Sequence, residues 1–131
     1  MSITEQMNKV IEKYGIEKPE QIIYGTNIPM PQAVLPTPWK TYIRFDETQN
    51  YFFYFDEEGF SIFTTDGEAA ATIPWSAVID FKVSHVAIVG KITVKTAENT
   101  YKFQTNRFVI GCPWIKPNTK LLESNNYFYK K

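Results

Sequence analysis

The sequence predicts a mainly β fold of the α+β kind: a barrel or bent antiparallel sheet of about seven strands, with a C-terminal helix and an extra N-terminal helix. Aromatic residues make up 16% of the 131 residues, and aromatic side chains favour strands. Short apolar segments separated by turn-forming residues recur along the chain. At this length a single domain of 19–131 is expected, preceded by the helix in 1–18.

A hairpin between Lys91 and Thr105 is the clearest strand signal. One face carries Ile92, Val94, Thr96, Tyr101 and Phe103, and the other carries Lys91, Thr93, Lys95, Lys102 and Gln104. This alternation is typical of an antiparallel sheet with one buried face and one face in water.

The first segment has the signals of an amphipathic helix. Ser2 is a candidate N-cap with Glu5 at the capping-box position, and Gly15 suits a left-handed C-terminal cap. The apolar face consists of Ile3, Met7, Val10, Ile11 and Tyr14. Packing of this face on the sheet is the favoured interpretation, and docking on a partner or a lipid surface is the alternative.

The middle of the chain predicts a first strand from Ile22 to Ile28 and then a proline-rich loop or edge segment from Pro29 to Pro38. Strands are expected at 40–46, 50–56 and 59–64, separated by turns rich in acidic residues and Asn or Gly. Residues 51–55 are five aromatics in a row. Burial of this strand between two layers is favoured over an exposed aromatic face.

The remaining segments predict a short strand from Ala69 to Ile73, a strand through Phe81, and a helix from about Pro113 to Ser124. The apolar parity changes after Ser84, which predicts a bulge or bend near His85. The helix face consists of Trp114, Asn118, Leu121 and Leu122, and Pro117 predicts an irregular first turn or a later start.

Charge and composition exclude most catalytic chemistry and several classes of partner. Fourteen basic and fourteen acidic residues leave no net charge, so a nucleic-acid partner is not expected. His85 and Cys112 are the only residues of their types, so no soft-metal cluster, Cys–His pair or cofactor is predicted. No phosphate-binding glycine motif and no serine nucleophile elbow occur. The protein is therefore expected to have no enzymatic activity.

The first residues lack the features of a signal peptide, and no apolar run is long enough to cross a membrane. A single cysteine cannot form an internal disulfide, which agrees with a reducing compartment. A cytoplasmic location is expected.

The strand series, the segment from Ile73 to Ile79, the hairpin from Lys91 and the helix bearing Trp114 together resemble the pleckstrin-homology-like fold, and more narrowly small bacterial pleckstrin-homology or GRAM-like domains. The resemblance covers about residues 20 to 128. It implies that the terminal helix closes one end of a bent sheet, with Trp114, Leu121 and Leu122 in the core. It also implies a binding or scaffolding module without an active site.

Three functional hypotheses follow. The leading one is a module that binds a protein partner or its own copies through exposed aromatics and sheet edges. The second is a barrel that binds an apolar ligand in a cavity lined by Trp39, Tyr51, Tyr54 and Trp75. The third is binding to an anionic lipid surface through Lys40, Arg44, Lys91 and Lys95.

Overall fold

A computed structural model describes residues 2–28, 34–36, 42–44, 49–86 and 88–129, with backbone only for 34–36 and 42–44. The helices are α1 (Ile3–Tyr14) and α2 (Ile115–Ser124). The strands are β1 (Ile22–Asn27), β2 (Val34–Pro36), β3 (Tyr42–Arg44), β4 (Asn50–Phe55), β5 (Gly59–Thr64), β6 (Ala70–Pro74), β7 (Val78–Val86), β8 (Val89–Thr96) and β9 (Thr100–Asn106). Short 3₁₀ turns lie at Pro19–Gln21, Trp75–Ala77 and Asn126–Phe128.

Seven of these strands form one antiparallel sheet in the order β6-β5-β4-β1-β9-β8-β7. The mainly β class and the C-terminal helix are thus confirmed. Within the described residues β6 and β7 are not paired with each other, so the sheet is not closed into a barrel. The first strand lies in the middle, where Ile23 pairs with Phe53 of β4 and Gly25 pairs with Thr105 of β9.

The sheet curls around an aromatic core. The rings of Phe55 in β4 and Phe81 in β7 have centroids 6.1 Å apart. Four strand spacings of about 4.8 Å would hold β4 and β7 about 19 Å apart in a flat sheet. The sheet must therefore bend strongly to bring these two rings into contact.

The aromatic strand β4 is buried on both faces, as favoured from the sequence. Tyr51, Phe53 and Phe55 point into the inner core with residues of both halves of the sheet. Phe52 points to the outer face, where it packs with Met7 and Val10 of α1. The N-terminal helix therefore lies on the outer face of the sheet of its own chain.

The predicted caps of α1 are confirmed. Ser2 Oγ accepts a hydrogen bond from the Glu5 backbone N–H at 3.1 Å, and Gly15 has φ 65° in the left-handed region.

Helix α2 begins at Ile115, with Pro117 in its first turn, where a missing N–H breaks no intrahelical bond. It lies at the junction of the two cores, with Ile115 in the outer cluster and Leu122 fully buried in the inner one. Trp114 and Leu121 are half-buried.

The predicted irregularity near His85 is wrong: β7 runs through it, and the register shift lies between Val78 and Asp80. The parity change after Ser84 reflects exposure instead: β7 pairs regularly with β8 as far as Val86, whose side chain is 76% exposed. Of the predicted strand at 40–46, the described part is β3, which pairs with β2 in a separate two-stranded sheet. Proline-bearing β2 is thus an edge strand.

Candidate functional site

Among the described residues, the side chains proposed from the sequence as ligand contacts lie on both faces of the sheet. Trp39 and Lys40 lie outside the described residues, and of Arg44 only the backbone in β3 is described. Tyr51 and Trp75 belong to the inner core. Tyr54 lies on the opposite face of β4, as strand alternation requires, and is half-buried.

The two core aromatics are held by specific contacts. Tyr51 is completely buried, and its hydroxyl lies 3.3 Å from Gln49 Oε1. The Trp75 indole N–H donates to the Asp56 carbonyl at 2.8 Å. Its ring packs against Phe81 and Tyr129 at centroid distances of 5.2 and 5.3 Å. Both side chains therefore fill the interior.

Exposed apolar side chains concentrate at one end of the molecule. Val86, Ile88, Phe108 and Ile110 are exposed by 76%, 56%, 63% and 88%. We call these four residues the apolar end. Among the described residues the remaining exposed large apolar side chain is Ile79, at the bulge of β7. An apolar cluster of this kind marks an interaction surface more often than scattered single residues do.

The two loops that carry the apolar end are tied together. Val86 ends β7 and Ile88 lies in the turn that leads to β8, whereas Phe108 and Ile110 follow β9. The Arg107 backbone N–H donates to the Ile88 carbonyl at 2.8 Å, which extends the pairing of β8 with β9. The loops are therefore presented by a paired hairpin.

A concave cavity of about 360 Å³ lies between these loops and α2. Its apolar wall is formed by Ile88 and Phe108, and α2 contributes Lys116, Thr119 and Lys120. This volume is near the lower end of the roughly 300–1,000 Å³ typical of ligand pockets. It can accept one or two large side chains of a partner.

The cavity has a positively charged rim. Arg107 forms an ion pair with Glu123 of α2, and the His85 Nε2 atom lies 3.8 Å from the same carboxylate. Lys116 and Lys120 are exposed one helical turn apart, and neither has an ion pair within the described residues. The paired charges of Arg107 and Glu123 cancel, so the two lysines leave the rim cationic.

Within the part of the chain that the structure describes, no three His, Cys, Asp or Glu side chains lie close enough to hold a metal ion. Cys112 is a buried free thiol in the outer core, where the Thr4 hydroxyl lies 4.0 Å from its Sγ.

Sequence reasoning did not identify the apolar end. A signal was nevertheless present: apolar Val86 and Ile88 stand at and beside a hairpin turn, where polar turn formers are usual. Phe108 and Ile110 come directly after the last strand, in a loop. Apolar residues in two neighbouring loops indicate an interaction surface once the fold brings them together.

Comparison with known proteins gives information on the fold. No protein-family model matches the chain, and no curated protein matches it. A crystal structure of the C-terminal domain of an unknown protein from Leishmania infantum is similar, with a TM-score of 0.52 and 13% sequence identity. The match covers 98% of this chain and 100% of that domain. At this identity the likeness concerns the fold alone.

Among the described residues, no helix combines sufficient length with sufficient apolar character to span a membrane.

Proposed function

We propose that this protein is a non-enzymatic binding module that engages a partner protein through the apolar end. The observation that carries the proposal is the concave cavity between Ile88, Phe108 and α2, bordered by exposed apolar side chains and by Lys116 and Lys120. An apolar anchor in a pocket with a charged rim is the usual composition of a protein interface.

The chemistry of the partner follows from the surface. Each large apolar side chain buried at the interface contributes about 1.5–3 kcal/mol before the costs of association. Lys116 and Lys120 favour carboxylates on the partner. The partner segment is therefore amphipathic, with an apolar anchor for the cavity and acidic residues beside it.

Binding to an anionic membrane is the second candidate, because apolar loop tips beside lysines also suit a bilayer surface. The cavity favours a protein partner over a membrane, because a protein side chain can fill a concave pocket and contact both Phe108 and Thr119. A flat lipid surface would contact the loop tips and leave the pocket floor unused.

The fold that presents this surface is proposed to be a pleckstrin-homology-like domain of the GRAM-like kind. Two features support the proposal: the strong bend of the sheet, and the burial of Leu122 of the C-terminal helix in the inner core. A cytoplasmic site of action is proposed with it, supported by the free thiol of Cys112.

Site-specific photo-cross-linking tests the proposed function. A photoreactive phenylalanine analogue is placed at Phe108 in the full chain, and a matched probe is placed at the exposed Ile79. We expect a discrete protein adduct from position 108 and none from position 79. Protein adducts in equal yield from both positions would contradict the proposal, and lipid adducts alone at position 108 would favour the membrane candidate.

A further inference from the structure

The cavity at the apolar end follows one flank of α2. The helix contributes four of its lining residues: Lys116, Thr119, Lys120 and Glu123. Their spacings of three and four residues place them in one stripe along the helix surface. At a rise of about 1.5 Å per residue the stripe is about 10 Å long, which is about two helical turns. Ile88 and Phe108 form the opposite wall, and we call the space between the two sides the α2 groove.

Two lysines carry the unpaired charge of the described residues in this groove. The Thr119 hydroxyl donates to a carbonyl of its own helix at 2.8 Å, and the Glu123 carboxylate pairs with Arg107. The exposed ammonium groups of Lys116 and Lys120 have no ion pair within the described part of the chain. A partner that adds carboxylates beside them therefore gains attraction without breaking an existing pair.

The start of α2 adds to this positive charge. Lys116 lies in the first turn, where the free N–H groups already give the helix end a partial positive charge. No acidic residue occurs in that turn, and Trp114 at the N-cap position provides no side-chain hydrogen bond to it. A carboxylate beside Lys116 is therefore attracted both by the lysine and by the end of the helix.

The backbone of the opposite wall favours a helical partner over an extended one. An extended segment completes its hydrogen bonds at a free strand edge. Among the described residues β8 and β9 are interior strands of the sheet, and beside the groove the Ile88 carbonyl accepts the Arg107 N–H. This wall thus presents side chains instead of an open strand edge. A helix completes its backbone hydrogen bonds internally and needs only such side-chain contacts.

We propose that the α2 groove binds an amphipathic, acidic helix of a partner protein, laid along α2. Apolar residues of that helix, at spacings of three and four, contact Ile88 and Phe108. Two acidic residues one helical turn apart face Lys116 and Lys120, which have the same spacing on α2. The inference rests on the proposed function, because it names the partner segment that the same surface receives.

The test uses the full chain and a fluorescein-labelled, alanine-based peptide of about 18 residues, long enough to form a helix. Leucines at positions i, i+3, i+4 and i+7 give the peptide an apolar face, and two glutamates four residues apart flank that face. Fluorescence anisotropy is expected to show saturable binding. Failure of this peptide to bind would overturn the inference.

Charge reversal tests the pairing with the lysines. The double variant Lys116→Glu, Lys120→Glu is expected to weaken binding about tenfold, and a peptide with lysines in place of both glutamates is expected to restore it. The matched double variant Lys91→Glu, Lys95→Glu reverses two exposed lysines of β8 and should leave binding unchanged. Equal losses in the two double variants would show attraction by net charge alone and would overturn the inference.

A second peptide tests the helical form of the partner. It carries proline in place of a central alanine on the face away from the leucines, with every charge and every leucine retained. Because proline disrupts a helix, binding is expected to weaken about 100-fold. Equal binding of the two peptides would overturn the inference.

The outcomes separate this inference from the function on which it rests. A protein adduct at position 108 without binding of the alanine-based peptide would overturn the acidic helix and leave the proposed function standing. Absence of a protein adduct at position 108 would contradict the proposed function itself.

Discussion

Phe55 and Phe81 touch across the interior although β1, β9 and β8 separate their strands in the sheet. Phe55 also stacks on Phe60 with centroids 4.7 Å apart and meets Tyr127 edge-on at 5.2 Å. One side chain thus joins the two halves of the sheet and the segment after α2. The curvature that presents the apolar end depends on this aromatic core.

The first prediction concerns that contact. Phe55→Ala is expected to lower the free energy of unfolding by about 3–5 kcal/mol, because it leaves a cavity under both halves of the sheet. The measurement is urea denaturation. Phe108→Ala is the control, with an expected change within about 0.5 kcal/mol because the side chain is exposed. Similar losses in the two variants would contradict the assignment of Phe55 to the core.

The second prediction concerns the close pairing of β1 with β9. A Cβ atom at Gly25 would lie 2.2 Å from the Gln104 carbonyl oxygen, so the strands meet closely only because this residue has no side chain. Gly25→Ala is expected to be strongly destabilising, since a backbone atom must move. A thermal melt measures the effect. An unchanged melting temperature would show that β1 and β9 do not approach each other this closely.

The third prediction concerns the anchor of α2. The Asn118 side-chain amide donates to the carbonyls of Ile22 and Pro19 at 2.8 and 3.1 Å. Asn118→Ala is expected to cost about 1–3 kcal/mol, because these carbonyls lose their donor in a buried setting. The exposed Asn125, which donates to the Leu121 carbonyl, is the matched control and should cost less. Equal costs in denaturant titrations would argue against the anchor.

The fourth prediction concerns alkaline pH. Burial, followed by the charge of Glu123, raises the pKa of Tyr127 to about 12. The folded protein thus holds the phenol proton more tightly than the unfolded chain does, because the tyrosine pKa in the unfolded chain is about 10. The contribution of Tyr127 to the free energy of unfolding is therefore fully present below about pH 10. It falls by roughly 1.4 kcal/mol per pH unit between about pH 10 and 12, as the unfolded chain loses the phenol proton first. Tyr127→Phe should flatten this part of the stability profile, and an unaltered slope would contradict the assignment.

The sequence predicts local structure well where the pattern is set by near neighbours. Alternation along the strands of the Lys91 hairpin and the caps of α1 at Ser2 and Gly15 are examples. The prediction of a bulge or bend near His85 is wrong, because a parity change after Ser84 is produced equally by a bulge and by an exposed apolar residue such as Val86. Only the pairing with β8 distinguishes the two.

The candidate site depends on contacts between distant parts of the chain. Tyr51 and Trp75 are large amphipathic side chains, so their type suits both a ligand cavity and a packed core. In the structure, strands that are far apart in the sheet come into contact, and this contact buries both side chains in the inner core. The apolar end depends likewise on the approach of α2 to two loops, which no local pattern encodes.

The fifth prediction concerns the binding surface itself. The most direct measurement is the affinity of the full chain for the protein captured by cross-linking at Phe108. The double variant Phe108→Ser, Ile110→Ser is expected to weaken binding about 100-fold or more, since two large apolar side chains contribute about 1.5 kcal/mol or more each. Ile79→Ser, at the exposed bulge, is expected to bind as the unaltered protein does. Unchanged affinity in the double variant would contradict the central claim that the apolar end is the binding surface.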